Sequence, residues 1–221
     1  MTSDDIVGFV IDSDERVGGG GFLEIRRVRM RNCRADGSIS PPYVCDSIAR
    51  PYGQDAVVVA AYTRTAAGTV EVLLRDGLRP ALFLGRDPSL APLPEPDPER
   101  MLTELVAGII ETSDRGEAGL RARAAHELRE EAGFVVEPTA VQLLGVGTYP
   151  SPGAMVEKFY FTAIEVDPRA QLPLEGDGSP MEEGARTRWM EIDAAIDACV
   201  RGELCDLKTE ACLRRLRDQL D

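Results

Sequence analysis

Runs of apolar residues along the chain predict a sheet of buried strands. Residues 55–62 form a nearly continuous apolar run of strand length, which is typical of a central strand covered on both faces. Shorter runs of apolar and β-branched residues predict further strands over residues 70–75, 102–110, 141–149, 158–166 and 187–192. Most of the chain is therefore expected to build one sheet.

Helical patterns lie between and after these strands. Residues 120–132 predict a helix that ends at Gly133, because glycine readily adopts the left-handed conformation that closes a helix. A helical tail is expected over residues 193–220, and five prolines predict an extended loop over residues 87–98. Strands that alternate with a few helices predict a mixed α/β domain, in which helices pack over the sheet.

The first 50 residues have a pattern of their own. Residues 1–15 are weakly patterned, and the run of four glycines at residues 18–21 predicts a flexible linker, with a phosphate-binding loop as the alternative. Residues 22–30 alternate as a strand, and residues 36–38 predict a turn into a partner strand at residues 43–45. We expect an N-terminal β extension over residues 1–50 and a main domain over residues 51–221.

Composition and charge limit the possible functions. A chain of 221 residues with 43% apolar and 29% charged residues fits a globular domain with a real core. Its formal net charge of −13 argues against binding to nucleic acid or to an anionic membrane, because both repel a negative surface. No apolar run has the length of a membrane span, the N-terminus lacks the features of a secretory signal, and five cysteines without C-x-x-C spacing favour reduced thiols. These features predict a cytoplasmic location.

The predicted helix at residues 120–132 carries a cluster of carboxylates. Glu127, Glu130 and Glu131 fall within one arc of roughly 100° of the helix surface. Like charges at these spacings repel each other, so this face is either solvated or holds a cation. Hard oxygen ligands of this type suit Mg²⁺ or Mn²⁺. Both interpretations stay open for the helix taken alone.

The segment from Gly108 to Phe134 resembles the Nudix box, whose pattern is G-x5-E-x7-R-E-[apolar]-x-E-E-x-G-[apolar]. The matching positions are Gly108, Glu127, Leu128, Glu130, Glu131, Gly133 and Phe134. Asp114 stands where the pattern has glutamate, His126 occupies the arginine position, and the interval between these two is four residues longer than in the pattern. The resemblance implies the Nudix fold, an α/β/α sandwich with a mixed sheet, and Mg²⁺-dependent hydrolysis of a nucleoside diphosphate linked to another moiety.

Segments outside the box are similar to the ADP-ribose and nucleoside-diphosphate-sugar pyrophosphatase branch of the Nudix family. They are E-x-x-A-G-x-x-E at residues 104–111, S-P-G-x-x-x-E at 151–157, the acidic pair Glu182-Glu183, and D-x-K-T at 206–209. The resemblance implies binding of Mg²⁺, or of Mn²⁺, by Glu127, Glu130, Glu131 and the backbone carbonyl of Ala107.

The same resemblance implies roles for residues outside the helix. Glu183 or its neighbour Glu182 is the candidate base that takes a proton from the attacking water, and a solvated acidic loop is the alternative. Candidate catalytic residues are thus Glu183, Glu182 and Glu127, and candidate substrate-binding residues are Arg79, Arg50, Glu104 and Gly153. Dimeric members use an N-terminal β element to complete the partner's site, which implies a homodimer here.

Two of these positions carry open alternatives. The stretch R-D-G-L-R-P at residues 75–80 resembles R-Q-x-R-P with one extra residue and no glutamine, so Arg79 either reaches a substrate phosphate or is an exposed cation beside Asp76. A protonated His126 could take over part of the role of the pattern's arginine, as could Arg123 one helical turn before Glu127. An uninvolved histidine is the other interpretation.

The implied function is hydrolysis of the pyrophosphate bond of ADP-ribose or a related nucleoside diphosphate sugar, which gives a nucleoside monophosphate and a sugar phosphate. One alternative is a Nudix hydrolase for another nucleoside diphosphate derivative, such as a dinucleotide or a coenzyme. Another is a catalytically silent Nudix module that binds a nucleotide. The three retained glutamates favour an enzyme, because a pure binder does not need such a repulsive group.

Overall fold

The computed structural model of the chain describes residues 2, 5–94, 99–174, 176 and 178–220. Two units can be distinguished in it. The smaller unit comprises residues 1–55 together with residues 149–158, and the larger unit comprises residues 56–148 together with residues 159–221. Among the helices of the described residues, none is long and apolar enough to cross a membrane.

The smaller unit contains an antiparallel sheet. Its described strands are β1 (Ile6–Val17), β2 (Glu24–Arg34) and β3 (Tyr43–Ala49), and they lie in the order β1-β2-β3. The turn predicted at residues 36–38 lies in the connection between β2 and β3, where Gly37 has a φ of 82°. The hairpin expected from this part of the sequence is therefore confirmed.

The flexible linker expected at residues 18–21 is wrong. Strand β1 pairs with β2 along almost its whole length, and the four glycines form the turn between the two strands, with Gly18 and Gly20 at positive φ. Charged side chains on β1 are paired across the hairpin, as in the ion pair between Asp14 and Arg26 at 2.6 Å. The side chains of β1 are mostly exposed, so pairing with β2 rather than burial in a core maintains this strand.

The larger unit is built on a mixed sheet. Its described strands are β4 (Ala56–Arg64), β5 (Val70–Leu78), β6 (Met101–Glu104), β7 (Val106–Ile109), β8 (Gln142–Leu143), β9 (Phe159–Glu165) and β10 (Arg186–Glu191). The main path runs β10-β5-β4-β9-β8, with β6 paired to β5 and β7 paired to β4. Strands β4 and β9 are parallel and the other pairs are antiparallel.

Helices cover both faces of this sheet. The described helices are α1 (Pro80–Gly85), α2 (Gly116–Ala132), α3 (Ile192–Arg201) and α4 (Leu207–Leu220). Val57 and Val59 of β4 pack in the core formed with α2, whereas Val58 and Ala60 pack in the core formed with α3 and α4. Alternate side chains of β4 are thus buried in two different cores, one on each face of the sheet. For this reason residues 55–62 form a nearly continuous apolar run. The predicted α/β/α sandwich with a mixed sheet is confirmed.

Three predicted elements of the larger unit are shorter or divided. The strand expected over residues 102–110 breaks at Leu105, whose N–H donates to Oγ1 of Thr209 at 2.8 Å instead of joining a ladder. The strand expected over residues 141–149 is reduced to β8 and an isolated bridge at Thr148. The helical tail divides at Gly202, which ends α3 with a φ of 77°. Within the predicted loop, residues 95–98 lie outside the described residues.

Candidate active site

Helix α2 places acidic side chains beside β7 and β4, against which it packs. It ends where the sequence predicts, at Gly133, which has a φ of 73° and donates its N–H to the carbonyl of Arg129 at 3.0 Å. A Cβ atom on residue 133 would lie 2.1 Å from the carbonyl oxygen of Leu172. Both the left-handed backbone and this close approach require glycine, so the end of the helix is fixed.

Glu127 lies directly against the strand that precedes α2. A Cβ atom on Gly108 of β7 would lie 1.9 Å from Cδ of Glu127, so the glycine makes room for this carboxylate. Nη1 of Arg123 lies 3.5 Å from Oε1 of Glu127. Burial raises the pKa of Glu127 to about 7; the cation Arg123 opposes this shift, and the nearby charge of Glu130 adds to it.

Glu131 is held by a backbone group and a buried cation. Its Oε2 accepts the N–H of Ala107 at 3.1 Å, and its Oε1 lies 3.3 Å from Nη1 of Arg75. Burial also raises the pKa of Glu131 to about 7, against the opposing charge of Arg75. The contact with Ala107 places residue 107, whose carbonyl is a predicted metal ligand, beside this carboxylate.

Glu130 is the more exposed member of the group. Its Oε2 lies 3.3 Å from Nδ1 of His126, whose side chain is 53% exposed. One ligand atom each of His126, Glu127 and Glu130 lie within 4.8 Å of one another. Glu127 and Glu130 can therefore contact the same cation without a movement of the backbone.

The predicted acidic pair lies in a cleft with these carboxylates. The cleft has a volume of about 370 Å³ and is lined by Glu130, Glu131 and Arg75 together with residues 178–180 and 182–185. Oε1 of Glu182 lies 3.0 Å from Nη2 of Arg75, and the charge of Glu182 contributes to the raised pKa of Glu127. Glu183 also lines the cleft but is exposed. The fold thus brings residues that are some 50 positions apart to one site.

Glu104 and Arg79 form a separate group in the same unit. Glu104 at the end of β6 is buried and forms ion pairs with both Arg79 and Lys208. Lys208 also lies 2.9 Å from Oδ2 of Asp206, which accepts the N–H of Thr209 at the start of α4. The D-x-K-T segment therefore anchors α4 to the end of β6, and Arg79 pairs with Glu104 rather than with Asp76.

Arg50 and Gly153 belong to the smaller unit. Arg50 forms an ion pair with Glu157 and donates to the carbonyl of Gln54 at 2.9 Å, while Gly153 is exposed in a turn. The remaining predicted site residues all lie in the larger unit: Arg79, Glu104, Ala107, Glu127, Glu130, Glu131, Glu182 and Glu183.

Arg123 bears on two departures from the box pattern, the aspartate at residue 114 and the histidine at residue 126. Its Nε donates to Asp114 at 2.8 Å, its Nη2 lies 2.9 Å from Glu111, and its Nη1 faces Glu127. It therefore links the residue in the glutamate position of the pattern to the first helix glutamate. His126, in the arginine position, faces Glu130 and the solvent instead.

Arg75 is a residue of the site that no sequence motif indicates. This residue is 4% exposed, and it lies on the face of β5 that carries Leu73, which packs in the core formed with α2. A signal for it exists: a charged residue in a strand, two positions after a buried leucine, points into the same layer. The sequence does not show which face of β5 is covered by α2, so it does not place Arg75 beside the carboxylates of that helix.

The donor set fits a hard divalent cation. Glu131 and Glu182 share Arg75, and Glu127 contacts Arg123. Glu130 contacts His126 instead, so negative charge is in excess. Burial and neighbouring negative charges raise the pKa of Glu127 and Glu131 to about 7, so each carboxyl group is about half ionised at pH 7. A divalent ion would reverse the local balance and favour the ionised carboxylates.

No protein-family model and no curated protein sequence matches the chain. Among solved structures, it is similar to the crystal structure of an ADP compounds hydrolase, with a TM-score of 0.67 and 14% identity over 99% of this chain and 97% of that one. A NUDIX hydrolase from Alicyclobacillus acidocaldarius is similar at 15% identity over 73% of this chain and 89% of that one, with a TM-score of 0.47. The first likeness shows the fold, which is the fold of the Nudix hydrolases.

Proposed function

We propose that the chain hydrolyses the pyrophosphate bond of ADP-ribose or a related nucleoside diphosphate sugar, in an Mg²⁺-dependent reaction that yields a nucleoside monophosphate and a sugar phosphate. The observation that carries this proposal is that Glu130, Glu131 and Glu182 line one cleft of a Nudix fold, while Glu127 lies close enough to Glu130 to contact the same cation. The similarity to an ADP compounds hydrolase and the segments outside the box support a substrate of the ADP-ribose type.

Glu127, Glu130, Glu131 and the Ala107 carbonyl would hold the metal. A bound Mg²⁺ would supply Lewis acidity toward the phosphoryl oxygens and lower the pKa of a bound water. The chain's own residues position these carboxylates, since Gly108 leaves the space for Glu127 and the Ala107 N–H orients Glu131.

Glu182 is our candidate for the group that accepts the proton of the attacking water. Its carboxylate lies inside the cleft, where it is held by Arg75 and is close enough to Glu127 to affect the pKa of that residue. Glu183 is the alternative, since it also lines the cleft. A general base must lie within hydrogen-bond reach of the water it activates, which both positions allow after small side-chain movements.

The resemblance assigns substrate binding to Arg79, Arg50, Glu104 and Gly153, and contacts within the larger unit support a more specific proposal for two of them. The Arg79 side chain is 37% exposed and is held by Glu104, so its guanidinium is available to a phosphate. Glu104 itself is buried, so we propose that it acts by positioning Arg79.

We also propose a homodimer formed through the N-terminal extension, residues 1–50. Val7, Phe9 and Ile11, which alternate along β1, are each more than half exposed. Apolar side chains grouped in this way mark interaction surfaces, because association removes them from water. A sedimentation measurement on the wild type and on Phe9→Lys tests this, and a monomeric wild type would contradict it.

The proposed activity is tested with a panel of nucleoside diphosphate sugars, dinucleotides and coenzymes, each incubated with and without Mg²⁺. We expect AMP and ribose 5-phosphate from ADP-ribose with Mg²⁺, and a large loss of turnover in Glu127→Gln. Faster turnover of a dinucleotide or coenzyme would favour the alternative hydrolase. Equal trace amounts of product from both proteins on every substrate would favour a nucleotide-binding module without catalysis.

A further inference from the structure

Arg75 is a buried cation at the centre of the candidate metal site. Its guanidinium bridges two carboxylates from different parts of the chain, with Nη1 at 3.3 Å from Oε1 of Glu131 and Nη2 at 3.0 Å from Oε1 of Glu182. Its side chain is 5% exposed, so little water shares in these contacts. Arg75 therefore neutralises part of the negative charge that the fold concentrates in the cleft.

The strand is built to accommodate this guanidinium. Gly77 lies two residues further along β5 and so on the same face, and a Cβ atom at this position would lie 2.8 Å from Nη1 of Arg75. The glycine belongs to the R-D-G-L-R-P stretch, which departs from the family pattern. Its missing side chain leaves the space in which the guanidinium reaches Glu131.

Arg75 and a metal ion would compete for the same oxygen. Oε2 of Glu131 accepts the Ala107 N–H, and Oε1 faces Arg75, so each oxygen already has a partner. A cation bound to Glu131 would also be repelled by the guanidinium charge. Among the described residues, Nε of Arg75 has no hydrogen-bond partner, so the guanidinium is not fully satisfied where it lies.

We propose that Arg75 is an internal counter-ion: it occupies Glu131 and Glu182 in the metal-free protein, and a divalent metal must displace it from Glu131 to bind. This inference rests on the proposed function, because it takes Glu131 as a metal ligand. Arg75 then has two opposite effects. It stabilises the metal-free protein by pairing buried carboxylates, and it weakens the binding of the metal.

The test measures the binding of Mn²⁺ in the absence of substrate. The electron paramagnetic resonance signal of free Mn²⁺ reports how much of the ion stays unbound. In Arg75→Gln we expect the dissociation constant to fall about tenfold, which corresponds to the relief of about 1.4 kcal/mol of repulsion. The Tm measured in EDTA should fall in the same variant. Arg188→Gln is the matched control, because it removes the same charge from the same sheet, but its guanidinium is engaged by Asp76 and Thr103. The dissociation constant of Mn²⁺ for Arg188→Gln should equal that for the wild type.

A second variant keeps the positive charge of Arg75 but shifts the position of its guanidinium. Gly77→Ala places a methyl group against the guanidinium, so it should also tighten Mn²⁺ binding, and it decides the question if Arg75→Gln does not fold. If the wild type binds Mn²⁺ and these variants bind it equally or more weakly, the inference on Arg75 is wrong while the proposed metal site stands. Weaker binding would mean that Arg75 positions Glu131 for the metal. Lack of Mn²⁺ binding by the wild type and all variants would overturn the proposed metal site together with this inference.

Discussion

Glu104 and Glu131 are two buried glutamates of the larger unit whose surroundings differ in charge balance. Glu104, whose side chain is 2% exposed, pairs with Arg79 and with Lys208, which it shares with Asp206. Glu131, whose side chain is 13% exposed, shares the single cation Arg75 with Glu182. The two carboxylates have the same chemistry and comparable burial, but Glu104 pairs with two cations and Glu131 with one.

This difference in charge balance distinguishes a structural carboxylate from a proposed metal ligand. A buried charge with sufficient partners anchors its surroundings, as Glu104 anchors the start of α4 through Lys208. A buried charge with too few partners disfavours its own ionisation, and the pKa of Glu131 is accordingly raised to about 7. Such a group gains the most from an external cation, so charge balance indicates where a ligand is missing.

Neutralising Glu131 should therefore abolish activity without weakening the fold. We expect Glu131→Gln to lower kcat by roughly 1000-fold, about 4 kcal/mol, because a ligand of the metal is lost. The Tm in EDTA should not fall, since an uncharged amide is less costly to bury than a carboxylate. Turnover assays and calorimetry measure the two effects. A fall in Tm together with the loss of activity would indicate that Glu131 is needed for the fold, as a structural carboxylate is.

Neutralising Glu104, in contrast, should weaken the fold. We expect Glu104→Gln to lower the free energy of unfolding by about 3 kcal/mol, because Arg79 loses its partner and Lys208 keeps only Asp206. Urea denaturation measures this change. The matched control is Glu203→Gln, which breaks an exposed ion pair with Arg201 and should leave the unfolding midpoint unaltered. A stability equal to that of the wild type in Glu104→Gln would show that its pairing is not needed.

The elements that local pattern determines were predicted correctly. Helix α2 and its end follow from helical periodicity and from Gly133, which has to be glycine because of its φ and its contact with Leu172. The central strand β4 follows from an apolar run that is buried on both faces. The carboxylates of α2 were found for the same reason, since their spacing places them on one face of a helix.

Elements that depend on distant partners were not predictable in this way. The break at Leu105 is caused by a hydroxyl group 104 residues later in the chain, and strand β1 is stabilised by ion pairs across a hairpin. Arg75 acquires its role only through Glu131 and Glu182, which are brought to it by the packing of α2 and by a late turn. No local pattern contains such information.

The unbalanced carboxylates should also make the metal-free protein less stable as the pH rises. Burial raises the pKa of Glu127 and Glu131 from 4.5 to about 7, so the folded state binds protons more tightly than the unfolded state between these values. Stability therefore falls as the pH rises from 4.5 through 7 and levels off once both groups are ionised. Urea unfolding in EDTA measures this slope. The double variant Glu127→Gln/Glu131→Gln should lack it, and an equal slope in both proteins would refute the assignment.

The smallest effect concerns Arg123, which partly balances Glu127. We expect Arg123→Gln to lower kcat/KM by about tenfold, because Glu127 loses the guanidinium that also binds Asp114. Arg123→Lys should keep only part of the wild-type kcat/KM, since the single ammonium group of lysine cannot contact Glu127, Asp114 and Glu111 together as the guanidinium does. His126→Arg should change kcat/KM by less than about threefold, because His126 faces Glu130 and the solvent. A larger loss in His126→Arg than in Arg123→Gln would instead place the positioning role at residue 126, where the box pattern has its arginine.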